Sequence, residues 1–108
     1  MTNEFGEKLD RNGYSQSVFG NMSSCFLCGK RNCKLDRHEI FGNAYRDKSK
    51  RLGLWVLLCH DGCHQGNDGV HRNASKAEGL RKMGQTVAMM KYGWSTEDFI
   101  KQFGKNYL

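Results

Sequence analysis

The sequence predicts a small α+β domain: a β-hairpin, a long helix after it and a short C-terminal helix. Three observations carry that expectation. Two short segments, 35–41 and 54–58, read as strands joined by a polar loop. Residues 74–91 place apolar side chains at helical spacing. Four of the five cysteines fall in two close pairs that bracket the strand segments. A chain of 108 residues has room for one domain with a modest core, so a cross-link would add much to its stability.

Residues 1–22 are rich in Asn, Gly and Ser, with Phe5, Leu9, Tyr14, Val18 and Phe19 scattered at no clear period. They are expected to form a flexible arm ahead of a domain spanning 23–108. In "LDRHEIF", Leu35, Arg37, Glu39 and Phe41 would share one strand face, and Asp36, His38 and Ile40 the other. "GNAYRDKSKRLG" is a polar, basic connection with room for one helical turn. "LWVLL" is short, continuous and apolar, as a buried strand is. Asn73 is placed to cap a helix over 74–91, whose Leu80, Met83, Val87 and Met90 are expected to face the core. "STED" at 95–98 has the form of a capping box. Phe99, Ile100 and Phe103 give this last helix, about 95–104, an apolar face, and Gly104 ends it.

There are 17 Lys and Arg against 11 Asp and Glu, a net charge of +6. That excess suits a polyanionic partner, a nucleic acid or an anionic membrane surface. No run approaches the length of a membrane span, and the first residues lack the apolar stretch of a signal peptide. The expected location is therefore cytoplasmic. In that compartment paired cysteines point to metal or redox chemistry rather than disulfides.

Cys25-x-x-Cys28 and Cys59-x-x-x-Cys63 supply the four thiolates that a closed structural zinc site needs. Gly29 and Gly62 beside them suit tight metal turns. The alternatives are buried thiols acting as small hydrophobes, or a redox pair at Cys25 and Cys28, for which no βαβ context exists. Cys33 is left over, as an alternative ligand or a free thiol. All four histidines, His38, His60, His64 and His71, lie between the first strand and the long helix. In one continuous helix His64 and His71 would sit ~10.5 Å apart along the axis, too far to share an ion. Gly66, Asn67, Asp68 and Gly69 break such a helix, and a turn there could fold His71 back toward His64 and His38.

The knuckle "CFLCG", the segments "RHEIFG" and "LWVLLC", then "CH" and "GVHRN", together resemble the HNH endonucleases, the ββα-metal nucleases. "GVHRN" and the terminal "FGKNYL" look like small HNH proteins of bacteriophages and prophages. The resemblance implies a zinc-stabilised ββα-metal core over about 25–91, in which hairpin and helix cradle one divalent metal, Mg2+, Mn2+, Ni2+ or Zn2+. It implies hydrolysis of DNA phosphodiester bonds, in the host cytosol if the chain is phage encoded. The family's strand signature is a metal ligand, then a general base, then an apolar residue; "HEI" puts His38 on the first position and Glu39 on the second. A glutamate near a cation is a better ligand and a poorer base, so the two roles could be exchanged. His64 matches the helix-side ligand, with His71 a second candidate. The family's middle asparagine would fall near Gly53 or Leu54; Asn43 is the candidate for its role. Arg46, Lys48, Lys50 and Arg51, between the strands, are candidates to grip DNA phosphates. A non-catalytic, zinc-stabilised nucleic-acid-binding module on the same scaffold is the alternative.

Overall fold

The structure is a computed structural model describing residues 1–108. It is a small α+β fold. Strand β1 (Leu35–Glu39) is followed by a 3-10 turn (Asn43–Tyr45) and helix α1 (Arg46–Arg51). Strand β2 (Trp55–Cys59), a π-helical turn (His60–His64), and helices α2 (Ala74–Tyr92) and α3 (Thr96–Phe103) complete it. β1 and β2 pair antiparallel from Leu35 opposite Cys59 to Glu39 opposite Trp55. The connection between the strands is mostly helical, where the sequence predicts a loop with one turn. Ser49 explains its stability. Its buried hydroxyl donates to the Leu54 carbonyl (2.5 Å) and accepts from Phe41 N–H (3.2 Å), tying α1 to both strands at the connection end of the hairpin.

Leu52, Leu54, Val56 and Leu58 are fully buried, and Ile40, Phe41, Leu80, Ala88, Phe99 and Phe103 close over them. Asn73 caps α2 by accepting from Lys76 N–H, and Ser95 with Asp98 forms the reciprocal capping box of α3. The core face of α2 differs from the sequence expectation. Leu80 is buried, but Met83 is exposed and Met90 is 79% exposed. The inward face is Leu80, Gly84, Gln85 and Ala88. Small residues win because the helix lies directly on the hairpin end. A side chain at Gly84 would begin 3.1 Å from Ile40 Cγ2. On α3, Phe99 and Phe103 turn inward while Ile100 stays exposed.

Gln85 is fully buried and fully used. Its Nε2 donates to Asn106 Oδ1 (2.8 Å), and its Oε1 accepts from Tyr107 N–H (2.7 Å), which docks the C-terminal segment on α2. Gln85→Leu should therefore cost roughly 1–3 kcal/mol, because it strands a half-buried N–H. In urea denaturation the midpoint should fall with an unchanged slope. A midpoint equal to the parent's would mean that the Tyr107 ring alone holds the segment.

Residues 1–22 depart furthest from expectation: they are docked rather than loose. Asn3 is buried, its Nδ2 donating to Arg51 O at the end of α1 (2.7 Å). Ser17 Oγ donates to Trp55 O, and Trp55 Nε1 donates to Ser15 O. Gly53 makes room for this segment. Its φ is +75°, and the Gln16 carbonyl occupies the space a Cβ would need. Val18, Phe19 and Met22 pack against the core and Phe5 against Tyr92, but the buried anchors Asn3, Ser15 and Ser17 are polar and pair with backbone groups, so no apolar period announces them.

Candidate functional site

Two clusters of metal-capable side chains share one short turn, His60–His64. The first is Cys25, Cys28, Cys59 and Cys63, whose sulfurs all lie within 4.8 Å of one another. The π-helical turn brings Cys63 back over Cys59, and Cys63 N–H donates to Cys59 Sγ (3.1 Å). Cys28 Sγ and Cys59 Sγ are 3.7 Å apart. Zn–S bonds of about 2.3 Å in a tetrahedron place sulfurs roughly 3.8 Å apart, and the Cys28–Cys59 separation matches that edge. Burial opposes the Cys25 thiolate, yet backbone N–H groups of Cys28, Cys59 and Leu27 draw its pKa below the usual thiol range, while burial and the neighbouring sulfurs push Cys63 up. The four cysteines can therefore hold a structural metal ion such as zinc. Cys33 stands outside the group, with its sulfur 4.0 Å from the Lys30 carbonyl.

The second cluster is His38, His64 and His71, again with one ring nitrogen from each within 4.8 Å of the others. His38 projects from the inner face of β1. His64 ends the π-helical turn, and His71 returns to it across a tight reversal. Gly66 and Gly69 permit that reversal: a Cβ on either would come within 2.5–2.8 Å of the Gly62 carbonyl. Val70 N–H then bonds Cys63 O, and His71 Nε2 arrives 3.0 Å from His64 Nε2. Metal–nitrogen bonds of about 2.0–2.1 Å set N···N edges of roughly 2.9–3.4 Å, so this pair is at ligand spacing. Burial, then the neighbouring His64 and His71, pull the His38 imidazolium down to about 4. Burial and then His64 lower His71 as well. Both shifts favour the neutral ring, which is the form that binds metals.

Asp36 supplies what sequence reasoning missed. It shares the inner strand face with His38, and its Oδ2 lies 2.9 Å from His64 Nδ1 and 2.6 Å from His60 Nδ1. Burial opposes its charge, but the hydrogen bonds from His64 and His60 hold its carboxyl below the usual range. A carboxylate on the far nitrogen fixes the ring and leaves Nε2 for an ion. The signal was present as Asp36 two residues before His38, but its meaning depended on His64 folding beneath it. His60 takes no part in the three-histidine group.

Alternation along β1 puts Glu39 on the opposite strand face from His38, yet it borders the same cleft. Its side chain is only 9% exposed; Tyr14 Oη donates to Oε2 (3.0 Å) and Arg46 Nε to Oε1 (2.5 Å). Burial first, then the Glu39 charge, pushes the Tyr14 phenol up to about 12, so it remains a donor. The histidines open onto a cleft of about 420 Å³ lined also by Arg37, Glu39, Asn43, Arg46 and Arg81. Asn43 sits there at φ +53°, a left-handed conformation rare outside glycine.

The four basic residues between the strands are not brought together. Arg46 borders the cleft and is 64% exposed. Lys48 Nζ instead donates to Gln102 O on α3, Arg51 pairs with Glu4, and Lys50 lies over the Tyr14 ring. Helix α1 is the cause, since its turns send consecutive side chains in different directions. No helix is long and apolar enough to cross a membrane. Comparisons with known protein families, curated proteins and solved structures return no match.

Proposed function

We propose that the chain is a metal-dependent DNA endonuclease of the HNH type. The observation that carries this reading is the convergence of three imidazoles, one braced by Asp36, in a cleft rimmed by Arg37, Arg46 and Arg81. Four cysteines already suffice for a structural ion, so the histidines are free for a second one. His38, His64 and His71 would hold it. When bound, such an ion polarises a phosphate and stabilises the leaving oxygen. An all-imidazole donor set favours Zn2+ or Ni2+ over Mg2+.

The side chains divide the remaining work. Asp36 keeps His64 in register. Arg37, Arg46 and Arg81 attract and orient the phosphate. With His38 committed as a ligand, Glu39 is the proton acceptor for the attacking water. Arg46, being largely exposed, can leave Glu39 for the incoming phosphate and so uncover the carboxylate. One observation favours the second reading, a non-catalytic nucleic-acid-binding module: both Glu39 oxygens are occupied, by Tyr14 and Arg46.

Plasmid nicking with and without Mg2+, Mn2+, Ni2+ and Zn2+ tests the proposal. Nicking is expected with at least one of these ions and none after the ion is withdrawn. DNA that stays intact under all four, while binding the protein, establishes the non-catalytic module instead.

A further inference from the structure

The cleft does not end at the histidines. On one side it continues, through shared Gly42, Asn43 and Arg81, into a groove of about 410 Å³ that reaches Lys105 and Tyr107. On the other side Arg37 joins it to a groove of about 610 Å³ that reaches Lys50 and Tyr14. The two ends are alike. Each carries a lysine with no carboxylate partner, held against a tyrosine ring: Lys105 Nζ is 5.3 Å from the Tyr107 centroid and Lys50 Nζ 4.8 Å from that of Tyr14. The acids along the path are engaged. Glu39 pairs with Arg46, Glu78 with Arg81, and Asp36 with His60 and His64. The rings that prop the lysines are themselves packed, Tyr107 on Phe41 and Tyr14 on Trp55, so they fix the cations rather than offer a stacking face.

We infer that Lys50 and Lys105 are phosphate contacts flanking the histidine cluster, and that one nucleic-acid strand crosses the cleft between them. A small phosphate compound could use the centre of the cleft but has no use for a cation at each end. A polynucleotide, with a charge on every residue, engages both ends and the middle at once. Lys48 and Arg51, though close in sequence to Lys50, take no part, because Gln102 and Glu4 hold them elsewhere. This inference rests on reading the cleft as a phosphodiester site.

The test measures binding rather than cutting. Fluorescence anisotropy of labelled single-stranded and duplex oligonucleotides, across a salt series and without added divalent metal, compares three chains. These are the parent, Lys50→Ala with Lys105→Ala, and Lys82→Ala with Lys101→Ala. The last pair removes the same charge from helix positions off the groove. The groove pair should flatten the salt dependence by about 1.8 in slope on duplex, or about 1.4 on single strands, at roughly 0.9 or 0.7 per lost contact. The off-groove pair should leave the slope close to the parent's. The strand type whose change reaches its own expected value is the one the groove accepts. Equal losses from both pairs, or an unchanged slope for the groove pair, overturns the inference. Nicking assays run in parallel separate the two ideas. Normal Lys50- and Lys105-dependent binding without nicking supports the groove and removes the hydrolytic reading. Nicking with an unchanged slope does the reverse.

Discussion

Cys59→Ala should abolish the cooperative thermal transition and leave the purified chain without bound zinc, where the parent should carry about one zinc per chain as a four-thiolate site does. Cys59 is buried at the end of β2, accepts Cys63 N–H and stands 3.7 Å from Cys28 Sγ, so it links the knuckle to the π-helical turn. Structural zinc contributes on the order of 10 kcal/mol to folding in small domains. Domains of this size have net stabilities of about 5–15 kcal/mol, so the loss is comparable to the whole. Cys33→Ala is the control and should leave both zinc and melting temperature near the parent's, because Cys33 lies outside the cluster. Calorimetry with elemental analysis reads both. A Cys59→Ala chain that melts like the parent with its zinc intact sinks the assignment.

His38→Ala should eliminate nicking while zinc content and melting temperature stay near the parent's, since the cysteine cluster is untouched. Glu39→Gln keeps the shape of the side chain and its place beside Tyr14, but removes its capacity to take a proton. If Glu39 is the acceptor, turnover should fall on the order of 10²–10⁴-fold while the second ion still binds. A loss that excess metal restores would instead make Glu39 a ligand. If both variants nick plasmid at the parent's rate, the chemistry is not at the hairpin.

Much of the hairpin is legible in the sequence because strand signals are local. The apolar run at 54–58 and the alternation at 35–41 mark the cores of β2 and β1, although each misses the strand ends by a residue or two. Caps are equally local, and Asn73 and Ser95 act as their sequence contexts suggest. Strand alternation by itself puts His38 and Glu39 on opposite faces. What escapes depends on partners distant in sequence. Met83 and Met90 look like core residues by hydropathy, but the contact with Ile40 and Phe41 needs the bare backbone of Gly84. Asn3, Ser15 and Ser17 bury themselves through hydrogen bonds to the ends of α1 and β2, which hydrophobic periodicity cannot register. Asp36 becomes a brace only once the reversal at Gly66 and Gly69 has set His64 beneath it. Lys50 and Arg51, consecutive in sequence, are separated by the turn of a helix.

The π-helical turn has a thermodynamic consequence. Within His60–His64 it carries Cys63 to one cluster and His64 to the other, so a single backbone conformation satisfies both. Two sites that require the same ordered state are coupled, and the coupling is reciprocal in free energy. If the turn were ordered only about a hundredth of the time without its cysteine-bound ion, the apparent affinity at the histidines would fall about a hundredfold, although no histidine had changed. The cysteine cluster is thus more than a staple. With an ion bound, it would hold the turn in one conformation and so bear in advance the entropy of bringing His64 to His38 and His71.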